Sequence, residues 1–363
     1  MSSPRKSASP AAVADATTPP SLAQDGGQPN IDVDDDGDSA FADGDNFSET
    51  TSLASSLIRG HIMNGRKYSS LRSDYWGPSD ESQFESMDAG HYNLLTLDSN
   101  QPEPLFRSPV VEPQNILDIG TGPGTWAVDV ADKYPEAVVY GVDLSPPPVT
   151  WMPPNCHLQV DDVLEDWTFR ENFDLIHMRL MLGAFTDNEW RDVYRKAYDN
   201  LKPGGWIEQV ELDVRVMADD NSLRPDTLIA EWGNNFLGCS ERAGRPLDTQ
   251  LTMKAKIEEA GFVDVQEHLY KCPIGGWPKN KVLKDAGRIN FVQWTAGLEG
   301  WAMFLLTNWG SPEPWTADEV RVYVAKVREE LKQPRLHIWH YTVDDEYGVA
   351  NLNDRGLQFV LTY

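Results

Sequence analysis

The residues whose types and spacing could do chemistry lie close together in the chain. Asp118-Ile119-Gly120-Thr121-Gly122-Pro123-Gly124 joins a short apolar run, Asn115 to Ile119, to a helical pattern from Thr125 to Tyr134 that Pro135 stops. Glycines in such a turn let the backbone bend tightly and approach a ligand, and the helix that follows supplies free N–H groups. Asp143 ends the next apolar run, Ala137 to Val142, 23 residues after Gly120. An acid there can accept both hydroxyls of a ribose at the carboxyl edge of a parallel sheet. A dinucleotide fingerprint would need glycine at 125, where Thr125 stands, and no Gly-Lys-Ser/Thr follows to make a P-loop. The spacing therefore describes a nucleoside site without a pyrophosphate grip. That fits S-adenosylmethionine better than a nicotinamide dinucleotide. A plain tight turn beside a surface Asp is the blander alternative.

Alternating strands and helices must position these groups. Two further apolar strands are expected at His157–Val160 and Phe173–His177. Trp190, Val193, Tyr194, Ala197 and Leu201 then form one helical stripe, ended by Lys202-Pro203-Gly204-Gly205. Trp206–Val214 reads as the fifth strand, Leu251–Ala260 as a helix closed by Gly261, and Phe262–Val265 as the sixth strand. A seventh is expected at Leu336–Val343. This order predicts an α/β, Rossmann-like, doubly wound and mostly parallel seven-stranded sheet covered on both faces. Residues 271–335 form an aromatic-rich helical insertion with five of the thirteen tryptophans. They make either a small extra core or a hydrophobic lid that receives an apolar acceptor or a partner. Thr316-x-x-Glu319 is a capping box opening a helix that carries Val320, Val324, Val327 and Leu331.

The net charge of −26 gives the chain no broad attraction for a phosphate backbone, so nucleic acid is not an expected partner. Residues 1–50 carry ten acids against Arg5 and Lys6, and residues 1–52 read as a disordered acidic tail, either solubilising or docking. Cys156, Cys239 and Cys272 form no C-x-x-C pair, and no apolar run reaches the ~20 residues that span a bilayer. The N-terminus lacks the apolar stretch of a signal peptide. A reduced, intracellular protein of cytoplasm or nucleus, away from membranes, is expected. His337 and His340 have no third ligand nearby in sequence, and no H-E-x-x-H or G-x-S-x-G occurs.

The stretch from Asn115 to Phe169, with NILDIGTGPGTWAVDVADKYPEAVVYGVDLSPPPVTW and Asp161-Asp162-Val163, resembles class I S-adenosylmethionine-dependent methyltransferases. More narrowly it is similar to the fungal LaeA-like methyltransferases of secondary metabolism. The likeness continues through Phe173–Arg179, Leu201–Trp206, Ala260-Gly261-Phe262 and Lys271–Pro278, and upstream in Asn64–Tyr68 and Asp80-Glu81. It implies a methyltransferase domain over residues 60–348. Residues 349–363 depart from the family's usual ending and read as a C-terminal extension beyond it.

The resemblance implies that Gly120, Gly122 and Gly124 cradle the methionine part, with Asp118 near its ammonium. Asp143 would hold the ribose. Asp162 would accept from the adenine amino group, with Asp161 as its rival and the Val163 N–H facing a ring nitrogen. His177 or Arg179 would border the methyl group, although a half-buried structural histidine is the competing reading of His177. Tyr68 would cover the cofactor. No general base stands out, which suits a sulfonium that is already activated. The implied function is methyl transfer to an acceptor in fungal secondary metabolism. A regulatory scaffold acting through protein partners is the first rival, and a nicotinamide oxidoreductase, disfavoured by Thr125, the second.

Overall fold

The computed structural model describes residues 60–346 and 349–350. The acidic tail and the rest of the C-terminal extension lie outside the described residues. A hairpin of β1 (His61–Met63) and β2 (Arg66–Tyr68) leads into α1 (Glu81–Leu97). Asp80 caps α1 by accepting the Gln83 N–H (3.2 Å), and Arg66 grips the same carboxylate twice (2.6 and 2.7 Å). The hairpin is thus fastened to the start of the helix.

Then follow β3 (Asn115–Ile119), α2 (Thr125–Lys133), β4 (Val138–Asp143), β5 (Cys156–Val160), β6 (Phe173–Arg179), α3 (Asp187–Asn200) and β7 (Leu201–Leu212). The remainder comprises β8 (Met217–Ala218), α4 (Leu228–Ala243), α5 (Met253–Glu259), β9 (Phe262–Val263), β10 (Gln266–Pro273), α6 (Lys281–Trp309), α7 (Ala317–Leu331), β11 (Ile338–Glu346) and β12 (Val349–Ala350). The main sheet runs β10-β11-β7-β6-β3-β4-β5, with β8 on the side of β11. Its central strands are parallel, and only β11 is antiparallel to its neighbours. The expected doubly wound sheet is present.

Apolar side chains cover both faces. Trp126, Ala127 and Val130 of α2 pack with Ile116, Val139 and Leu175 on one face. Trp190, Val193, Tyr194 and Ala197 of α3 pack with Leu117, Ile119 and Ile176 on the other. The stripe read at helical spacing is the stripe that is buried.

The seventh strand runs Ile338–Glu346 and the fourth extends to Arg179, and two other strand boundaries differ most from expectation. Phe262–Val263 leaves the main sheet and pairs with Val349–Ala350; the sixth strand proper begins at Gln266. Asp264 takes a left-handed φ of 56° and breaks the run. The fifth strand begins at Leu201, with a register shift opposite Phe173 and Leu175.

The aromatic insertion supplies a third apolar cluster, in which Trp294, Leu298, Met303 and Val324 of α6 and α7 meet Trp232 and Phe236 of α4. Thr316 and Glu319 form the expected capping box of α7. Helix α6 lies close along α1, and a Cβ at Gly297 would meet Ser86 Oγ at 2.6 Å. Among the described residues, no helix is long and apolar enough to cross a membrane.

Candidate functional site

Strand order reverses at β3, where β4 and β5 lie on one side and β6 and β7 on the other. At such a switch point the loops leaving adjacent carboxyl ends diverge and open a crevice. Here the crevice is a cleft holding about 930 Å³ of open space, partly continuous with solvent. Asp118, Gly120, Gly122, Asp143, Asp161, Asp162, Val163, His177 and Arg179 all line it.

The turn after β3 has the backbone its glycines allow. Gly120, Gly122 and Gly124 take φ values of 71°, 57° and 85°, in the left-handed region that L side chains avoid. Asp143 at the end of β4 accepts the Gly122 N–H (2.8 Å) and the Ser145 N–H (3.0 Å). It therefore locks the turn to the neighbouring strand while lone pairs remain for a ligand. Burial, with Asp118 adding to it, raises the Asp143 pKa to about 6 against the pull of the two N–H groups.

A row of polar side chains crosses three strands in register: Asp118, His177 and Glu208 on β3, β6 and β7. His177 Nδ1 lies 2.8 Å from Asp118 Oδ1, and its ring stacks on Trp126 with centroids 3.7 Å apart. Glu208 is buried and accepts the Ser108 N–H and hydroxyl (2.8 and 2.6 Å). Burial pushes it above the usual carboxylate range, opposed by His177. His177 is 2% exposed, more deeply buried than the half-buried strand-end reading allowed.

Two expected site residues are placed elsewhere. Tyr68 does not line the cleft: it is fully buried in the helical core, between His61 and Phe304. Its hairpin is pinned to α1 through Arg66, which turns the ring inward. Gly124 is also absent from the lining; it packs toward β5, where a Cβ would meet Leu158 Cδ1 at 2.7 Å. Its part is to let α2 approach the sheet.

Helix α1 contributes residues that sequence reasoning missed. Met87 and His91 line the cleft. Thr125 donates to Asp88, and His91 Nε2 lies 2.8 Å from Asp129 Oδ2, so α1 is fastened to α2. Arg179 Nη2 lies 3.2 Å from His91 Nδ1. With Arg179 donating, His91 is the neutral tautomer that gives its Nε2 proton to Asp129. Burial depresses the His91 pKa, reinforced by Arg179 and opposed by Asp129. His91 sits three turns past the Asp80 cap, but nothing local marked it.

Behind the cleft is a second cavity of about 780 Å³, lined by Trp232, Phe236, Trp294, Trp301 and other apolar groups. Tyr75, Met87 and Leu180 line both spaces, whereas His177 and Arg179 line only the first of the two. His337 and His340 do not meet: His337 pairs with Asp220 (2.7 Å), and His340 is buried against Asn290 (3.1 Å).

Comparison with known proteins gives the chain's relatives. A family model described as a methyltransferase domain matches residues 89–267. Methyltransferase pytC of Aspergillus terreus is 36% identical over 298 residues, 81% of this chain and 89% of that protein. Secondary metabolism regulator LAE1 of Cochliobolus heterostrophus is 35% identical over 77% of this chain and 92% of its own. Among solved structures, phosphoethanolamine N-methyltransferase 2 of Haemonchus contortus in complex with S-adenosyl-L-methionine is 18% identical, with a TM-score of 0.38 over 71% of this chain and 52% of that one.

Proposed function

This chain belongs to the family of S-adenosylmethionine-dependent methyltransferases that includes pytC and the LaeA-type regulators, and from that premise we propose how its cleft serves methyl transfer. The observation that carries the reading is Asp143. Its carboxylate is locked to the glycine turn and lines the cleft midway between two differently charged ends. At one end Asp118 and Arg179 can pair with the ammonium and carboxylate of an amino acid. At the other, Asp162 or Asp161 accepts an amino group while Val163 offers its N–H. Asp143 between them accepts the two hydroxyls of a ribose.

When bound, the cofactor supplies a methyl group already activated on a sulfonium sulfur. The chain has to hold, orient and shield it. Gly120 and Gly122 bring the backbone close. His177, fixed by Asp118 and stacked on Trp126, stiffens the floor. His91 orients the Arg179 guanidinium, and Met87 of α1 excludes water. His177 and Arg179 are positioning residues on this reading, and near-attack geometry supplies the rate.

The test is calorimetry with S-adenosylhomocysteine and with NAD. One-to-one binding of the sulfur nucleoside without comparable NAD binding is expected; the reverse would sink the reading. Incubation of labelled cofactor with fungal extract then separates the two roles that the relatives' names carry. Label in a small metabolite supports tailoring, and label in protein supports regulation.

A further inference from the structure

The second cavity differs from the cleft in charge, the property that most sharply selects a ligand. Arg72, His91, Asp118, Asp143, His177 and Arg179 are among the residues lining the cleft. Among the described residues, no Asp, Glu, Lys, Arg or His lines the cavity. An ion entering it would give up its hydration for no counter-charge. Its indole and phenyl walls suit flat rings, which pack well edge-on and in offset stacks. One polar side chain of α6 lines it without a partner. Gln293 is 5% exposed, and its carboxamide makes no hydrogen bond within the described residues. An unpaired donor or acceptor in a buried residue is expensive, so this group points to a ligand that satisfies it.

We propose that this cavity is the acceptor site, and that the acceptor is a neutral, mainly apolar, ring-bearing small molecule presenting a hydroxyl oxygen at the wall of Tyr75, Met87 and Leu180. The proposal rests on the methyl-transfer reading and adds the substrate class. Ring atoms fill the aromatic walls, and Gln293 takes a hydroxyl or carbonyl at the far side. A lone pair of the acceptor oxygen forms the new bond to the methyl carbon as the carbon–sulfur pair returns to sulfur. The hydroxyl proton is given up to bulk water through the cleft, whose outer side is continuous with solvent. Burial, with Asp143 and Glu211 adding to it, holds the Tyr75 phenol well above its usual pKa, so it remains a hydrogen-bond donor at the wall.

The full chain, saturated with S-adenosylhomocysteine, is titrated calorimetrically with four probes. Two are neutral, 2-naphthol and 2-hydroxyanthracene; two are charged, naphthalene-2-sulfonate and 2-naphthylmethylammonium. The neutral phenols should bind at least tenfold more tightly than the charged probes. Gln293→Glu, which puts a carboxylate into the cavity, should weaken the phenols at least tenfold and leave S-adenosylhomocysteine affinity within twofold. Equal or tighter binding of a charged probe overturns the acceptor class, and so does an unchanged phenol affinity in a folded Gln293→Glu chain. Should that variant fail to fold, the four-probe comparison on the unaltered chain still decides. Absence of S-adenosylhomocysteine binding would instead bring down the cofactor reading beneath it.

Discussion

On one side of the wall formed by Tyr75, Met87 and Leu180, carboxylates, imidazoles and guanidiniums crowd the carboxyl edge of the parallel sheet. On the other, Trp232, Phe236, Trp294 and Trp301 enclose a space lined by no charged side chain among the described residues. The charged side is built mainly from one stretch of chain, residues 118–185, closed by α1. The apolar side is assembled from α1, α4, α6 and the segments after β6 and β7. Groups that must face a polar ligand at fixed angles come from strand ends and tight turns, where the backbone itself is the jig. A space that must only exclude water and fit a shape can be walled by helices whose other faces form a core.

If the two sides are energetically separate, damage to one should spare the other. Trp294→Ala removes the indole at the centre of the helical core and should cost about 3–5 kcal/mol of stability, read by denaturant unfolding. S-adenosylhomocysteine affinity of the folded fraction should stay within about threefold; a larger loss would show that the wall transmits strain. Asp143→Ala strikes the other side. Two charge-assisted bonds, each worth about 1.5–3 kcal/mol before water compensates, predict an affinity loss of about 100-fold with the helical core intact.

A subtler probe is pH. Asp143 titrates at about 6 because burial disfavours its charge. One unit below that value only about a tenth of it is ionised, so S-adenosylhomocysteine affinity should fall about tenfold from pH 7 to 5. The sign of its stability effect is opposite. A folded pKa raised above the unfolded value means that the native state holds the proton more tightly, so this group's contribution declines as pH rises from about 4 to 6. Asp143→Asn should flatten the binding profile; a profile left unchanged would assign the titration to another group. The smallest effect is expected for Thr316→Ala. Loss of the α7 capping box should cost about 1 kcal/mol, a fall of about 2 °C in thermal midpoint, with no change in affinity.

The two sides were also unequally legible in the sequence. Glycines at 120 and 122 declare a left-handed backbone, and Asp143 follows at the length of one helix and strand, so local rules sufficed. The stripe of Trp190, Val193, Tyr194 and Ala197 was readable for the same reason. His91 was not, because its role depends on Arg179, 88 residues away. Nothing in the sequence singled out Glu208 and Glu211 of the fifth strand, yet both are buried. Glu208 is satisfied by Ser108, and Glu211 by the N–H groups of Met181 and Leu182, so burial followed from distant loops. Tyr68 was assigned to the cofactor by its motif, but a motif does not say which way a short hairpin turns its ring. The left-handed φ at Asp264, which split the sixth strand, has no glycine to announce it.

One feature of the sheet bears on how such a protein could diversify. Strands β10 and β11 are paired as the arms of a hairpin, with Pro273 opposite Trp339, and both of these residues lie at the same edge as the cleft. Everything between them, including α6 and α7, is therefore a graft on a hairpin tip. Lengthening a closed loop adds only about 0.6 kcal/mol of entropy per doubling. The sheet can tolerate exchange of that graft without losing register, because strand pairing is fixed on either side of it. One wall of the apolar cavity, Gln293, Trp294 and Trp301, is then inherited as a single cassette, residues 274–337, and recombination within a lineage could reshape that wall while α1, α4 and the donor half stay untouched.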